Sequence, residues 1–409
     1  MMFNLNRHIS ILQNFTKPPS SDTAGMIKIN SGIHAPESHG EAHTRREILS
    51  QPALWEEVYH LVHQQSEAIA GFLNPILEKE QLRIVLTGAG TSGYIGDSAQ
   101  GTLQKAWQKS VQAVPTTEIV TQPQATFIRS VPTLLISFAR SGNSPESVET
   151  VKLADQCCDE VYHLIITCNN DGALAHMGAA NPDKAYCIIL PEATNDKSLA
   201  MTSSFTCMLL TALLVANVAT IEGSYSKVQH IVAQGKVIFE NKFLLESLVQ
   251  KGFERVVFLG SGEMLGIARE CHLKLLELTD GKQVCMSDSF LGFRHGPRAF
   301  VNENTLLVYL FSRNPHILRY ERDLAEDTAR DARSIRSLQI GRAGGLELPN
   351  SNTITLKMDP ENEYQMIAAT LVGQLMGYYS ALHAGLNPDS PSTSGSISRV
   401  VQGVNIYQE

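Results

Sequence analysis

The segment GFRHGPRAF, Gly292 to Phe300, sets His295 beside a Gly-Pro turn between two apolar stretches. Pro297 biases Gly296 toward extended backbone, so the imidazole rides on a stiff loop. A ring that titrates near neutral pH suits proton transfer, and packing in a core is the competing use. Metal ligation is disfavoured, because no second histidine stands two or four residues on and the cysteines are remote in sequence. A carboxylate partner is offered by GIARECHLKLLELTDGK. Ile267, Cys271, Leu275 and Leu278 make one apolar helical face, and Glu270, Lys274 and Glu277 fall on another. The charged face reads either as a solvated ladder or as a base. For the second use, the leucines flanking Glu277 would raise its pKa.

Two loops have the composition of anion or sugar sites. In SFARSGNSPES a strand ends at Phe138, and Arg140, Ser141, Gly142, Asn143 and Ser144 follow before Pro145 opens a helix. Short hydroxyl and amide side chains at a helix N-terminus form an anion cradle, most simply for phosphate, where an ordinary cap would need one serine. No Walker lysine follows, which excludes a P-loop. In TGAGTSG, Gly88, Gly90 and Gly93 permit close ligand approach, and Thr91 and Ser92 can hold oxygens. The spacing also fits a dinucleotide fingerprint, but the acidic residue expected after the second strand is absent; Glu118 stands too far along. A purely structural glycine turn is the third reading. Thr202, Ser203 and Ser204 precede the apolar run FTCMLLTALLVANVAT and either cap its helix or line the same pocket.

The elements that must position these groups are strand-loop-helix repeats. Short buried strands are expected at Ile84 to Leu86, in TLLISFARSGNSPES up to Phe138, and in VYHLIITCN and KAYCIILPE, then again in FERVVFLGSG, KQVCMSDS, TLLVYLF and NTITLKM. The pattern is that of parallel sheets with helices on both faces, in two tandem units that each begin with a Gly-x-Gly turn. The expected fold class is α/β, with two flavodoxin-like domains and an N-terminal helical extension. The divisions are an arm and helices over 1–80, a first domain over 81–225, and a second domain with C-terminal helix and tail over 226–409. Residues up to about 40 read as a loose arm, with no signal peptide at its start. Helical spacing follows from Leu54 to Leu77, with Ser50 and Pro52 marking the helix start.

The 409 residues carry a formal charge of -8, 43% hydrophobic and 18% charged side chains, a soluble globular composition. Lys and Arg are dispersed, which argues against nucleic acid as a partner. Phe205 to Thr220 falls short of a membrane span and reads as a buried helix. Seven scattered cysteines without a Cys-x-x-Cys suit a reducing cytoplasm.

Taken together, TGAGTSGYIGDS, SFARSGNSPESVET, GSGEMLGIARECHLKLLELTDG, FRHGPRAF and NPDSPSTSGSISRVVQGV resemble the sugar isomerase (SIS) family, specifically its AgaS-like members, over about residues 45–409. The resemblance implies paired SIS domains that bind a phosphosugar, with deaminase and ketose/aldose isomerase activity toward galactosamine 6-phosphate or tagatose 6-phosphate. It implies sugar or phosphate contacts at Gly90, Thr91 and Ser92, and a phosphate loop at Arg140, Ser141, Asn143 and Ser144. It also implies Glu277 as general base and His295 as ring-opening group, often supplied across a dimer interface. No metal or cofactor is expected. The related glutamine-dependent aminosugar synthase has a serine where this chain has Ala139, a lysine in its tail where SPSTSGSISRVV has none, and a glutaminase domain not seen here. The expected reaction is ring opening and C2 proton abstraction. A plain aldose-ketose isomerase and a non-catalytic phosphosugar sensor are the alternatives.

Overall fold

The computed structural model describes residues 42–341, 346–401 and 403–407. The arm expected over the first 40 residues lies outside them. Ten parallel strands form two sheets. The first contains β1 (Arg83–Thr87), β2 (Ser110–Ala113), β3 (Thr133–Ala139), β4 (Val161–Thr167) and β5 (Ala185–Ile189), in the order β2-β1-β3-β4-β5. The second contains β6 (Arg255–Gly260), β7 (Val284–Asp288), β8 (Thr305–Leu310), β9 (Arg336–Ile340) and β10 (Ser351–Ile354), in the order β7-β6-β8-β9-β10. The topology is the same twice, and so is the register: Arg83 pairs with Thr133 in the first sheet and Arg255 with Thr305 in the second. The tandem α/β architecture expected from the sequence is therefore present. In such sheets ligands sit beyond the carboxyl ends of the strands where the order reverses, here between β1 and β3 and between β6 and β8.

One continuous core joins the two units. Ile84, Leu86, Ile136 and Phe138 of the first sheet and Val256, Phe258, Val308 and Leu310 of the second all belong to it. The opposite faces have smaller cores of their own, around Val85 and Leu135 and around Val257 and Tyr309. Helix Ser203–Ala216 passes through the shared core with nearly every side chain buried, as its composition demanded. Among the described residues no single helix is long and apolar enough to cross a membrane.

The sequence reading missed β2 and β9, and misplaced one helix start. The first helix spans Thr44–Gln64, and Pro52 lies inside it rather than opening it. Its N-terminus is capped from across the chain: Asp389 accepts from the Thr44 amide (2.7 Å), the Thr44 hydroxyl (2.7 Å) and the His43 amide (3.2 Å). Proline removes a helical donor, which would strand the Ile48 carbonyl, and the Gln51 side chain donates to it at 3.1 Å instead. The Asp389 cap is not visible in a local window.

Candidate functional site

The loop after β1 turns sharply because of its glycines. A Cβ on Gly88 would sit 2.6 Å from the Ser92 backbone, and Gly90 adopts φ +54. Both features need glycine. The turn opens helix Thr91–Trp107, with Thr91 and Ser92 buried at its start. The dinucleotide alternative finds no support: β2 ends at Ala113, and Glu118 lies exposed on a later helix.

Helix Glu263–Leu278 crosses from the second unit and packs against helix Thr91–Trp107. Its charged face is not a solvated ladder. Glu270 and Lys274 are fully buried, and the Glu277 side chain is 24% exposed. Lys274 Nζ donates to Thr91 Oγ1 at 3.0 Å and to Glu277 Oε2 at 2.5 Å, and lies 3.5 Å from Glu270 Oε1. Burial works against the ammonium, but Glu270 and Glu277 outweigh it and hold the Lys274 pKa above its ordinary value. Burial pushes the Glu270 carboxyl up to about 8, against the pull of Lys274. What Glu277 meets is thus an ammonium, where its leucine neighbours had suggested an apolar pocket. Lys274 was the group the sequence reading passed over. Its signal was present, a lysine bracketed by glutamates four residues before and three after.

The loop after β3 holds Ser141 to Ser144, with Gly142 at φ +66. Helix Pro145–Cys157 follows without a side-chain cap. The Ser144 hydroxyl donates to Ser147 Oγ at 2.6 Å, and Ser141 Oγ accepts from the Asn143 amide at 3.3 Å. Four residues expected in the binding site, Arg140, Asn143, Thr202 and Ser203, are otherwise committed. Arg140 is buried and donates to the carbonyls of Leu199 (3.1 Å), Ser198 (3.5 Å) and Arg399, so it fastens two backbone segments. Asn143 accepts from the Ala173 amide at 2.9 Å, capping the next helix. Thr202 and Ser203, fully buried, donate both backbone and hydroxyl protons to Asp196, as does Ser204, at 2.5–3.0 Å. They are capped by a carboxylate six to eight residues upstream, because a helix buried in the core needs its amides satisfied internally. Glu277 and Lys274 lie near enough to Arg140 to act on it or feel its charge, which brings the two halves of the site to one place.

Asp196 and the segment around it form a hub the sequence did not reveal. Glu47 accepts from the Ser198 hydroxyl at 2.5 Å and the Lys197 amide at 2.6 Å. Arg399 of the tail donates to the Asp196 carbonyl and to Asn195 Oδ1. The tail thus crosses the same edge as the β3 loop. His295 lies elsewhere: it is exposed in the turn beyond β7, at the carboxyl edge of the second sheet. Glu277 is near the far end of the helix that starts at that edge. Fourteen residues at 1.5 Å each carry Glu277 roughly 20 Å along the helix from Glu263, its residue at that edge.

Residues 76–218 match the family model described as SIS domain. The chain is 39% identical over 374 residues to the D-galactosamine-6-phosphate deaminase AgaS of Shewanella sp. (strain ANA-3), covering 90% of this chain and 92% of that protein. It is 40% identical over 368 residues to the protein of the same name from Escherichia coli, covering 89% and 95%. The crystal structure of tagatose-6-phosphate ketose/aldose isomerase from Escherichia coli superposes with a TM-score of 0.80 at 37% identity, covering 89% of this chain and 96% of that one.

Proposed function

The chain belongs to the AgaS-like family of SIS-domain deaminase/isomerases, and from that premise we propose how its own residues convert an amino-hexose 6-phosphate to a ketose 6-phosphate. Galactosamine 6-phosphate is the proposed substrate and tagatose 6-phosphate with ammonium the products. The phosphate binds the Ser141–Ser144 loop, at the start of helix Pro145–Cys157, which has no side-chain cap. Binding energy at that end orients the sugar carbons against Glu277. His295 relays a proton from the anomeric hydroxyl to the ring oxygen and opens the ring. Glu277 takes the C2 proton of the open aldehyde, and protonation at C1 gives the 2-imino sugar. Water adds at C2 and the nitrogen leaves as ammonia, which is protonated in solution. Lys274 holds Glu277 in place through the 2.5 Å contact and offers positive charge to the oxygen anion that develops beside it.

The observation that carries the reading is the buried Thr91–Lys274–Glu277 chain beside an uncapped serine loop. A homodimer or higher oligomer supplies His295 from a second copy; support comes from the placement of His295 after β7 at the carboxyl edge of the second sheet, with Glu277 near the far end of the helix that starts there. The proposed compartment is the cytoplasm, which suits seven cysteines that are all free. The same enediol chemistry on a hydroxyl at C2 is plain isomerisation, favoured by the likeness to the isomerase structure. Incubation with galactosamine 6-phosphate, glucosamine 6-phosphate and tagatose 6-phosphate, measuring ammonium and sugar products, decides between them. Ammonium from galactosamine 6-phosphate is expected. Interconversion of tagatose 6-phosphate with its aldose, without ammonium from either amino sugar, would make the enzyme a simple isomerase.

A further inference from the structure

His295 stands on a turn whose two ends are rooted and whose middle is exposed. Before it, Phe290 and Phe293 are fully buried in the core of the second unit, where the Phe290 ring lies 5.7 Å from Phe311 and 5.8 Å from Tyr309. After it, Arg255 donates to the Phe300 carbonyl at 2.6 Å and Arg333 to the Val301 carbonyl at 2.5 Å. Between these roots the chain reverses at Gly296, whose φ of +121 is one that side-chain-bearing residues rarely adopt. Arg294, His295 and Gly296 are all exposed, and no large apolar side chain stands between Phe293 and Phe300 to pin the turn.

Its middle is instead held by charge, from one place. Arg294 Nη1 lies 3.4 Å from Asp327 Oδ2, and Arg298 Nη1 donates to the same oxygen at 2.5 Å. The two arginines are four residues apart, one on each side of His295. A single carboxylate in the last turn of helix Pro315–Ala329 thus draws both sides of the turn together. Arg298 also lies 3.9 Å from Asp331, which Arg333 holds at 2.6 Å, so the network runs on to the root at Val301. Asp327 and both arginines are about a third exposed, and ion pairs so wet contribute little to folding. Geometry is a different matter, because a reacting group displaced by about 1 Å can cost roughly 100-fold in rate.

We propose that Asp327 is a positioning residue for the reaction: by clamping Arg294 and Arg298 it fixes where the His295 imidazole meets the sugar ring. The inference rests on the ring-opening role proposed for His295. Asp327 then acts only through the imidazole, and a double-variant cycle reads that directly. Asp327→Ala should lower kcat for galactosamine 6-phosphate (for tagatose 6-phosphate, if the parent proves a simple isomerase) at least about tenfold. KM should stay within about twofold and the urea midpoint close to the parent's. Asp327→Asn, which keeps an acceptor oxygen without the charge, should fall in between. In the His295→Ala chain, itself slowed by roughly 10²–10⁴, adding Asp327→Ala should cost less than about twofold. The same cycle with Asp327→Asn decides the matter if the alanine variant does not fold. Parental turnover in both Asp327 variants overturns the inference. So does an Asp327 loss that is as large without the imidazole as with it, since the carboxylate then serves the fold at large. Parental turnover in His295→Ala would defeat the ring-opening role itself, and the clamp with it.

Discussion

Lys274 is a fully buried ammonium held by one partly exposed and one buried carboxylate, and this arrangement fixes what removal of each should do. Glu277→Gln deletes the proposed base, so ammonium release should fall by roughly 10²–10⁴, the usual contribution of a general base. Folding should suffer little, since Glu270 remains 3.5 Å from the amine and is free to ionise once Glu277 is neutral. The double variant Glu270→Gln/Glu277→Gln leaves the ammonium buried with no carboxylate. If it stays charged, an unpaired buried charge costs about 3–5 kcal/mol. If it discharges, releasing a proton at pH 7 from an ordinary pKa near 10.4 costs about 4–5 kcal/mol. Either route predicts a loss of about 4 kcal/mol beyond the single variant. The discharged case also has a sign in pH. A folded-state lysine pKa below the unfolded value means the unfolded chain binds more protons, so stability rises with pH, and about 3 kcal/mol should return between pH 7 and 9.5. Urea denaturation of parent, single and double variants at the two pH values, with ammonium release alongside, measures all of this. The reasoning is refuted if Glu277→Gln keeps full turnover, or if the double variant is no less stable than the single at pH 7.

Ser141→Ala and Ser144→Ala should each raise KM for the phosphosugar about 10- to 100-fold, the worth of one hydrogen bond to a charged group, and should weaken inhibition by inorganic phosphate in parallel. Inactive His295→Ala and Glu277→Gln chains, mixed and allowed to exchange subunits, should recover roughly a quarter of parental activity, because one site in each mixed dimer is then intact. No recovery despite demonstrated exchange would place both groups on one chain. Glu321 is buried, and that burial pushes its carboxyl up to about 7 while the Ser312 amide opposes the shift. An acid raised in the fold favours folding below its unfolded pKa and loses that benefit as pH climbs to the folded value, so the parent should lose about 3 kcal/mol between pH 4.5 and 8. Glu321→Gln should remove that slope and be the more stable chain at pH 8, read from urea midpoints.

Much of this molecule was legible in the chain. The apolar runs that became β1, β3, β4, β6 and β8 are buried on both faces, so they read as unbroken hydrophobic segments. Edge positions were harder: β2 alternates polar and buried residues over four positions, and β9 begins Arg-Ser, which carries no such signal. The serine loop and the glutamate of the second unit could be singled out by residue type and spacing. Arg140 could not be told from a phosphate ligand, because its partners are carbonyls of Leu199 and Arg399, far along the chain.

By itself the sequence determined the repeating strand-loop-helix pattern, the two glycine turns and the carboxylate-bearing helix, because these follow from periodicity and backbone sterics within a few residues. Only the tertiary structure decided that Lys274 is buried against Thr91, that Asp389 caps the first helix from the other end of the chain, and that His295 and Glu277 face opposite ends of one sheet. Charge pairing and desolvation depend on what another segment brings near, and that is a property of the packed chain rather than of any window along it.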